Sequence, residues 1–218
     1  MAVVIFDLDG TLIDSAPDIH AASNRVLAQE GFADLSLAQV RSFIGKGVPH
    51  LVERLLDAVG EDPKGPRHAP MVARFTEGYE DAVGLTLPYP GVREALAQLQ
   101  AAGHVLGICT NKPVAPTRAV LAHLGMLDLF AAIYGGDSLP QRKPDPAPLH
   151  ATHAALGGGP VVYVGDSEVD AETAAAAGMR FAIYTEGYRK TPVDLLPHDA
   201  DFTQFSALAG IVERLLAT

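Results

Sequence analysis

Short apolar runs rich in β-branched and aromatic residues recur along the chain at Val3 to Phe6, Val105 to Cys109, Val161 to Val164 and Phe181 to Tyr184, with a weaker one at Ile133 and Tyr134. Runs of this length predict buried strands. Between most of them the spacing changes to three and four, through Val92, Ala95, Leu96 and Leu99, then Val120, Leu121 and Leu124, then Leu149, His153 and Leu156, and finally an alanine run closed by Gly178. That spacing predicts helices. One interval breaks the alternation: residues 15–87 carry helical patterns only, at Ile19, Ala22, Val26 and Leu27 and again at Val48, Leu51, Val52, Leu55 and Leu56. This stretch reads as a helical insert, with Glu61 to Pro66 as a loop inside it and Leu87-Pro88-Tyr89-Pro90 as a stiff return hinge.

Strands alternating with helices imply an α/β fold, an open parallel Rossmann-like sheet flanked by helices, built from residues 1–14 and 88–218 with the helical cap of 15–87 inserted. Three strands then end alike. Val3 to Phe6 runs into Asp7, Val105 to Cys109 into Thr110-Asn111, and Val161 to Val164 into Gly165-Asp166-Ser167. The carboxyl ends of parallel strands are where such sheets bind ligands, so these segments are expected in one cleft.

Asp7 and Asp9 are two apart and point the same way if the strand persists past Phe6. Adjacent carboxylates repel unless a cation or a shared proton intervenes, and a third at Asp166 makes a hard divalent ion, Mg²⁺, the natural partner of an all-oxygen set. Gly10 permits a tight turn in which the amides of residues 8 to 10 approach an anion. Read alone, Asp7 and Asp9 also suit a turn and a helix cap, because Asp-Gly is common in turns. Lys143 alters that balance: Arg142-Lys143-Pro144-Asp145-Pro146 sets a cation in a proline-stiffened loop, and metal, lysine, Thr110 and Asn111 together describe a phosphate site.

Composition narrows the partners. The 218 residues are 48% hydrophobic, enough for a sizeable core, and carry 16 Lys and Arg against 26 Asp and Glu, a net charge of −10. Nonspecific binding to nucleic acid or to an anionic membrane is disfavoured. The single Cys109 cannot form an internal disulfide, the first residues lack a basic signal start, and the longest uncharged stretch, Pro146 to Gly165, is broken by prolines and a Gly-Gly-Gly run. A cytoplasmic protein without a membrane span is expected.

Four of these motifs in order resemble the haloacid dehalogenase-like hydrolase superfamily: Asp7-Leu8-Asp9-Gly10-Thr11 its first motif, Thr110-Asn111 its second, Lys143 its third, and Gly165-Asp166-Ser167-Glu168-Val169-Asp170 its fourth. The resemblance covers nearly the whole chain, and the insert matches the family's helical cap. It implies that Asp7 is a nucleophile carrying a transient aspartyl-phosphate and that Asp9 is the acid/base. It further implies that Asp7, the Asp9 backbone carbonyl and Asp166 hold Mg²⁺, with Asp170 contributing indirectly. Thr110, Asn111 and Lys143 would grip the phosphoryl oxygens. Members with other chemistries generally carry a different residue two after the nucleophile, so Asp9 points to a phosphatase or phosphomutase.

A closer resemblance, to bacterial phosphoglycolate phosphatases, rests on Phe43 to Val48, Tyr89-Pro90-Gly91-Val92, Thr110 to Pro113, Gly135 to Leu139 and Glu186-Gly187-Tyr188. It implies a small phosphorylated metabolite, 2-phosphoglycolate, as substrate. Gly45, Lys46 and Gly47 would then meet the substrate's carboxylate; the plainer reading is a helix-breaking loop with a solvated lysine. Sugar-phosphate phosphatases or phosphomutases of the same superfamily are the nearest alternative. A receiver-like signalling domain, which also surrounds a phosphorylated Asp with acids, Thr and Lys, is the alternative of another class. His150 and His153 share a helix face but lack a third ligand, and the apolar tail from Phe202 to Leu216 is expected to pack on the core, with an oligomer contact left open.

Overall fold

The computed structural model describes residues 2–217. Its main sheet has six strands in the order β5-β4-β1-β6-β7-β8, all paired in parallel: β1 (Val3–Phe6), β4 (Val105–Cys109), β5 (Ala132–Tyr134), β6 (Val161–Gly165), β7 (Arg180–Tyr184) and β8 (Ala200–Phe202). All four residues of β1 are buried because helices cover both faces. The strand's two-residue period divides them: Val4 and Phe6 pack with α5 (Val92–Ala101), α6 (Val114–His123) and α9 (Leu208–Leu216), while Val3 and Ile5 pack with α7 (Ala147–Ala155) and α8 (Glu168–Ala177). From β1 the chain's later strands build outward in both directions, to β4 on one side and β6 on the other. The loops diverge at that reversal and open a crevice beyond the carboxyl end of β1.

Four helices make a separate layer: α1 (Ala16–Gln29), α2 (Leu37–Arg41), α3 (Val48–Ala58) and α4 (His68–Glu77). Their apolar stripes bury one another. Ile19, Val26 and Leu27 of α1 meet Leu51, Val52, Leu55 and Leu56 of α3 and Met71 and Phe75 of α4 in a cluster of their own. Where this layer leaves and rejoins the sheet, β2 (Ile13–Asp14) and β3 (Leu87–Pro88) form a two-residue antiparallel pair. The sequence pattern predicts no strand there, because so short a ladder has no periodicity to show. The same holds for β8, whose Asp201 is exposed and whose Phe202 reads from sequence as the start of the apolar tail. The tail does pack on the core, through Leu208, Ile211 and Val212. Among the described residues no helix is long and apolar enough to cross a membrane.

Candidate active site

β1 ends at Phe6, and the Asp7 amide still donates to Val164 O at 2.9 Å, which fixes the first residue past the strand at the mouth of the crevice. Lys143 reaches it from the loop before α7. Its Nζ donates to Asp7 Oδ1 at 2.7 Å, to Asp170 Oδ1 at 2.7 Å and to the Tyr163 hydroxyl at 2.8 Å, so all three ammonium protons are engaged. Burial opposes the charge on Lys143, but Asp170 and Asp7 outweigh it and hold the ammonium above its ordinary range.

Asp170 is placed by the start of α8, where it and Ser167 form a reciprocal capping box. Its Oδ2 accepts from the Ser167 hydroxyl at 2.6 Å and from the Ser167 and Asp166 amides at 3.1 and 3.2 Å, and its Oδ1 accepts from Lys143 and from Tyr163 at 2.6 Å. Burial would raise its pKa, yet Lys143 and these donors hold it below the usual value. Asp166 accepts from Thr11 Oγ1 at 2.7 Å and from the Tyr188 amide at 2.6 Å. Two glycines let the backbone crowd it: a Cβ on Gly10 or on Gly187 would lie 2.6 or 2.3 Å from Asp166 Oδ2. Gly10 is also at φ +91°, where a side chain is strained.

Asp7, Asp166 and Asp170 each present a carboxylate oxygen within 4.8 Å of the others. Burial, joined by mutual repulsion, pushes Asp7 up to about 7 despite Lys143 and raises Asp166 well above its ordinary value. A buried, oxygen-only set held together against its own repulsion fits a hard divalent cation. Asp170 takes two donors on Oδ1 and three on Oδ2, whereas Asp166 takes one on each oxygen and Asp7 accepts from Lys143 on Oδ1, so Asp7 and Asp166 are the members with capacity to ligate one.

Asp9 belongs to a second cluster. The chain turns sharply after Asp7, so the Asp9 carboxylate accepts from Ser15 Oγ at 2.6 Å and from Lys112 Nζ at 3.3 Å instead of continuing a strand beside Asp7. The Lys112 ammonium donates also to the Tyr79 hydroxyl, at 2.6 Å. Both clusters open into one pocket, lined further by Thr110, Asn111, Ser167 and Tyr188 from the sheet side and by Ile19, Ile44, Gly45, Gly47, Val48 and Leu51 from the helical layer.

Three expectations change in detail. The Asn111 side chain donates to Gly45 O and Lys143 O and accepts from the Lys143 amide, each at 3.0 Å, so it braces two loops and has no free donor for a phosphate. The Gly10 amide is bonded to Ile13 O at 2.9 Å and is not available to an anion. Gly45 and Gly47 do line the pocket, but Lys46 between them is exposed and does not. Positive φ at both glycines, +122° and +84°, turns the backbone there. His150 is exposed and His153 bonds to Gly159 O.

The model of one family, described as haloacid dehalogenase-like hydrolase, matches residues 4–184. The chain belongs to this family. As a haloacid dehalogenase-like hydrolase it is 57% identical over 218 residues, all of both chains, to a phosphoglycolate phosphatase of Cereibacter sphaeroides. It is 54% identical, over 96% of each chain, to a phosphoglycolate phosphatase of Rhodobacter capsulatus. The crystal structure of a predicted phosphoglycolate phosphatase from Haemophilus somnus 129PT superposes with a TM-score of 0.89 at 31% identity, covering 96% of each chain.

Five further residues, none of them assigned a site role from sequence, complete this hydrolase's site: Tyr79, Lys112 and Tyr188 line the pocket, while Thr11 and Tyr163 hold Asp166 and Lys143 from behind. Lys112 offered a signal: a lysine directly after Thr110-Asn111 at the end of a buried strand has little room to reach solvent, and in the fold it is 6% exposed. Tyr79 follows the end of α4 and carries no pattern that sets it apart from other aromatics of that layer.

Proposed function

We propose that the protein is a Mg²⁺-dependent phosphomonoester hydrolase that works through an aspartyl-phosphate on Asp7 and converts 2-phosphoglycolate to glycolate and phosphate. The observation that carries the reaction type is the division of labour between two carboxylates facing one pocket, Asp7 against Lys143 and Asp9 against Lys112. The substrate is supported by relatives of that activity over the full chain.

In this reading Asp7 attacks phosphorus, and Lys143 neutralises charge on the nucleophile and on the phosphoryl oxygens. Asp9 delivers a proton to the leaving oxygen and then takes one from the water that opens the aspartyl-phosphate, a pair of steps typically worth about 10²–10⁴ in rate. Thr110 supplies a hydroxyl to the phosphoryl group and Asn111 its backbone. Asp7, Asp166 and the Asp9 carbonyl would hold Mg²⁺, which supplies further charge neutralisation at the phosphoryl group when bound. Asp170 acts by holding Lys143. Residues 15–87 serve as a cap whose Gly45–Gly47 turn closes over the substrate, and a cytoplasmic setting suits the lone buried Cys109.

The test is phosphate release from 2-phosphoglycolate, set beside sugar phosphates and ethyl phosphate in Mg²⁺. Many phosphates per chain, 2-phosphoglycolate preferred, and no turnover by Asp7→Asn with its fold retained are expected. One phosphate per chain would indicate a receiver. Near-parent turnover by Asp7→Asn would remove the nucleophile assignment.

A further inference from the structure

A substrate with a carboxylate one carbon away from its leaving oxygen needs a second anion site, and Lys46 is exposed and outside the pocket lining. Resting on the phosphoglycolate reading, we propose that Lys112 and Tyr79 together form the receptor for the substrate's carboxylate and so determine specificity.

The two cations of the pocket differ in their free donors. Lys143 and Lys112 are the cations lining the pocket, and Lys143 has all three protons committed. Lys112 donates to Asp9 and to the Tyr79 hydroxyl, two bonds from three protons. Tyr79 accepts from Lys112, and among the described residues no acceptor takes its own hydroxyl proton. Burial pushes that phenol up to about 12, so it remains a neutral donor. Both residues are buried, Lys112 6% and Tyr79 4% exposed, and both face the pocket. The ammonium also lies 4.1 Å from the Tyr79 ring centroid, but neither its third proton nor the phenol proton has a hydrogen-bond acceptor among the described residues, and two such buried donors side by side, in a pocket also lined by Ile19, Ile44, Val48 and Leu51, match the two oxygens of a carboxylate.

Position agrees with chemistry. Lys112 Nζ is 3.3 Å from Asp9 Oδ1, the group assigned to the leaving oxygen. In phosphoglycolate the carboxylate is borne by the carbon attached to that oxygen, so it emerges beside Lys112. Tyr79 comes from the helical layer and Lys112 from the sheet, so the receptor is complete only when the two are together. Esters without the carboxylate leave these donors desolvated and unpaired, which is the basis for discrimination.

The test uses two ligands that cannot be hydrolysed: 3-phosphonopropionate, in which methylene replaces the ester oxygen, and propylphosphonate, which lacks the carboxylate. Their affinities are measured by calorimetry in Mg²⁺ for the parent, Tyr79→Phe and Lys112→Met, with kcat/KM on phosphoglycolate and ethyl phosphate alongside. The parent is expected to prefer 3-phosphonopropionate, and each variant to shrink that preference by about tenfold or more. A parent without the preference would overturn the substrate reading and this proposal together. A preference that persists in both variants, or an equal loss on both ligands, would overturn the receptor alone and leave the pair as a counter-ion and brace for Asp9.

Discussion

Asn111 shows how the side chain of a motif residue can serve a site by bracing the loops around it. Its amide joins Lys143, which neutralises Asp7, to Gly45, which roofs the pocket. Replacing it by Ala strands buried backbone groups, at about 1–3 kcal/mol where no water substitutes. Replacing it by Asp is worse, since a carboxylate cannot donate to the two carbonyl oxygens it faces and adds charge near Asp7 and Asp170. We therefore expect urea midpoints in the order parent, Asn111→Ala, Asn111→Asp, with kcat falling in the same order as Lys143 loses its fixed backbone. Unchanged stability in Asn111→Asp would mean that the side chain is not the brace drawn here.

At the scale of elements, the join between helical layer and sheet rests on few groups. The two-residue β2–β3 pair is too short to hold the layer alone, and Asp18 in the first turn of α1 reinforces it by accepting from the Leu85 amide at 3.0 Å, the Thr86 amide at 2.7 Å and the Thr86 hydroxyl at 2.6 Å. Asp18→Ala is expected to lower stability by about 1.5–3 kcal/mol, as for bonds to a charged acceptor, and to speed proteolysis between Val83 and Leu87. A cleavage rate equal to the parent's would remove Asp18 as a clamp. Neither β2, β3 nor Asp18 was readable beforehand, because the signal lies in pairing across some 70 residues of chain and not in local composition. What was readable had a local cause. Val3 to Phe6 and Val161 to Val164 are apolar on both faces since both faces are covered, and Asp7, Thr110 and Asp166 stand where those strands must stop. For Lys46, charge and flanking glycines describe a loop's chemistry without its direction, and in the fold it is exposed and outside the pocket lining, whereas Lys112 was hidden in plain order behind Asn111.

For the whole molecule, the balance of charge makes folding, pH and metal one problem. The protein has a net charge of −10, and it buries Asp7, Asp166 and Asp170 around a single ammonium. Asp7, raised from 3.8 to about 7, binds a proton more tightly folded than unfolded. That proton's contribution to stability is complete below the unfolded value and is lost as pH rises through about 7; Asp166, raised also, acts in the same direction. Metal-free protein should thus lose stability between mildly acidic and mildly alkaline pH through these two groups. Mg²⁺ needs the deprotonated forms, so its effect runs the other way. By mass action a hundredfold excess over Kd adds about 2.7 kcal/mol, fully expressed only where protons do not compete. Scanning calorimetry with and without Mg²⁺ should therefore show a larger rise in Tm at about pH 8 than at about pH 5.5. Asp166→Ala should abolish the rise at both, independently of any assay of turnover. An equal rise at the two pH values, or one that survives Asp166→Ala, would separate the buried carboxylates from the metal they are proposed to hold.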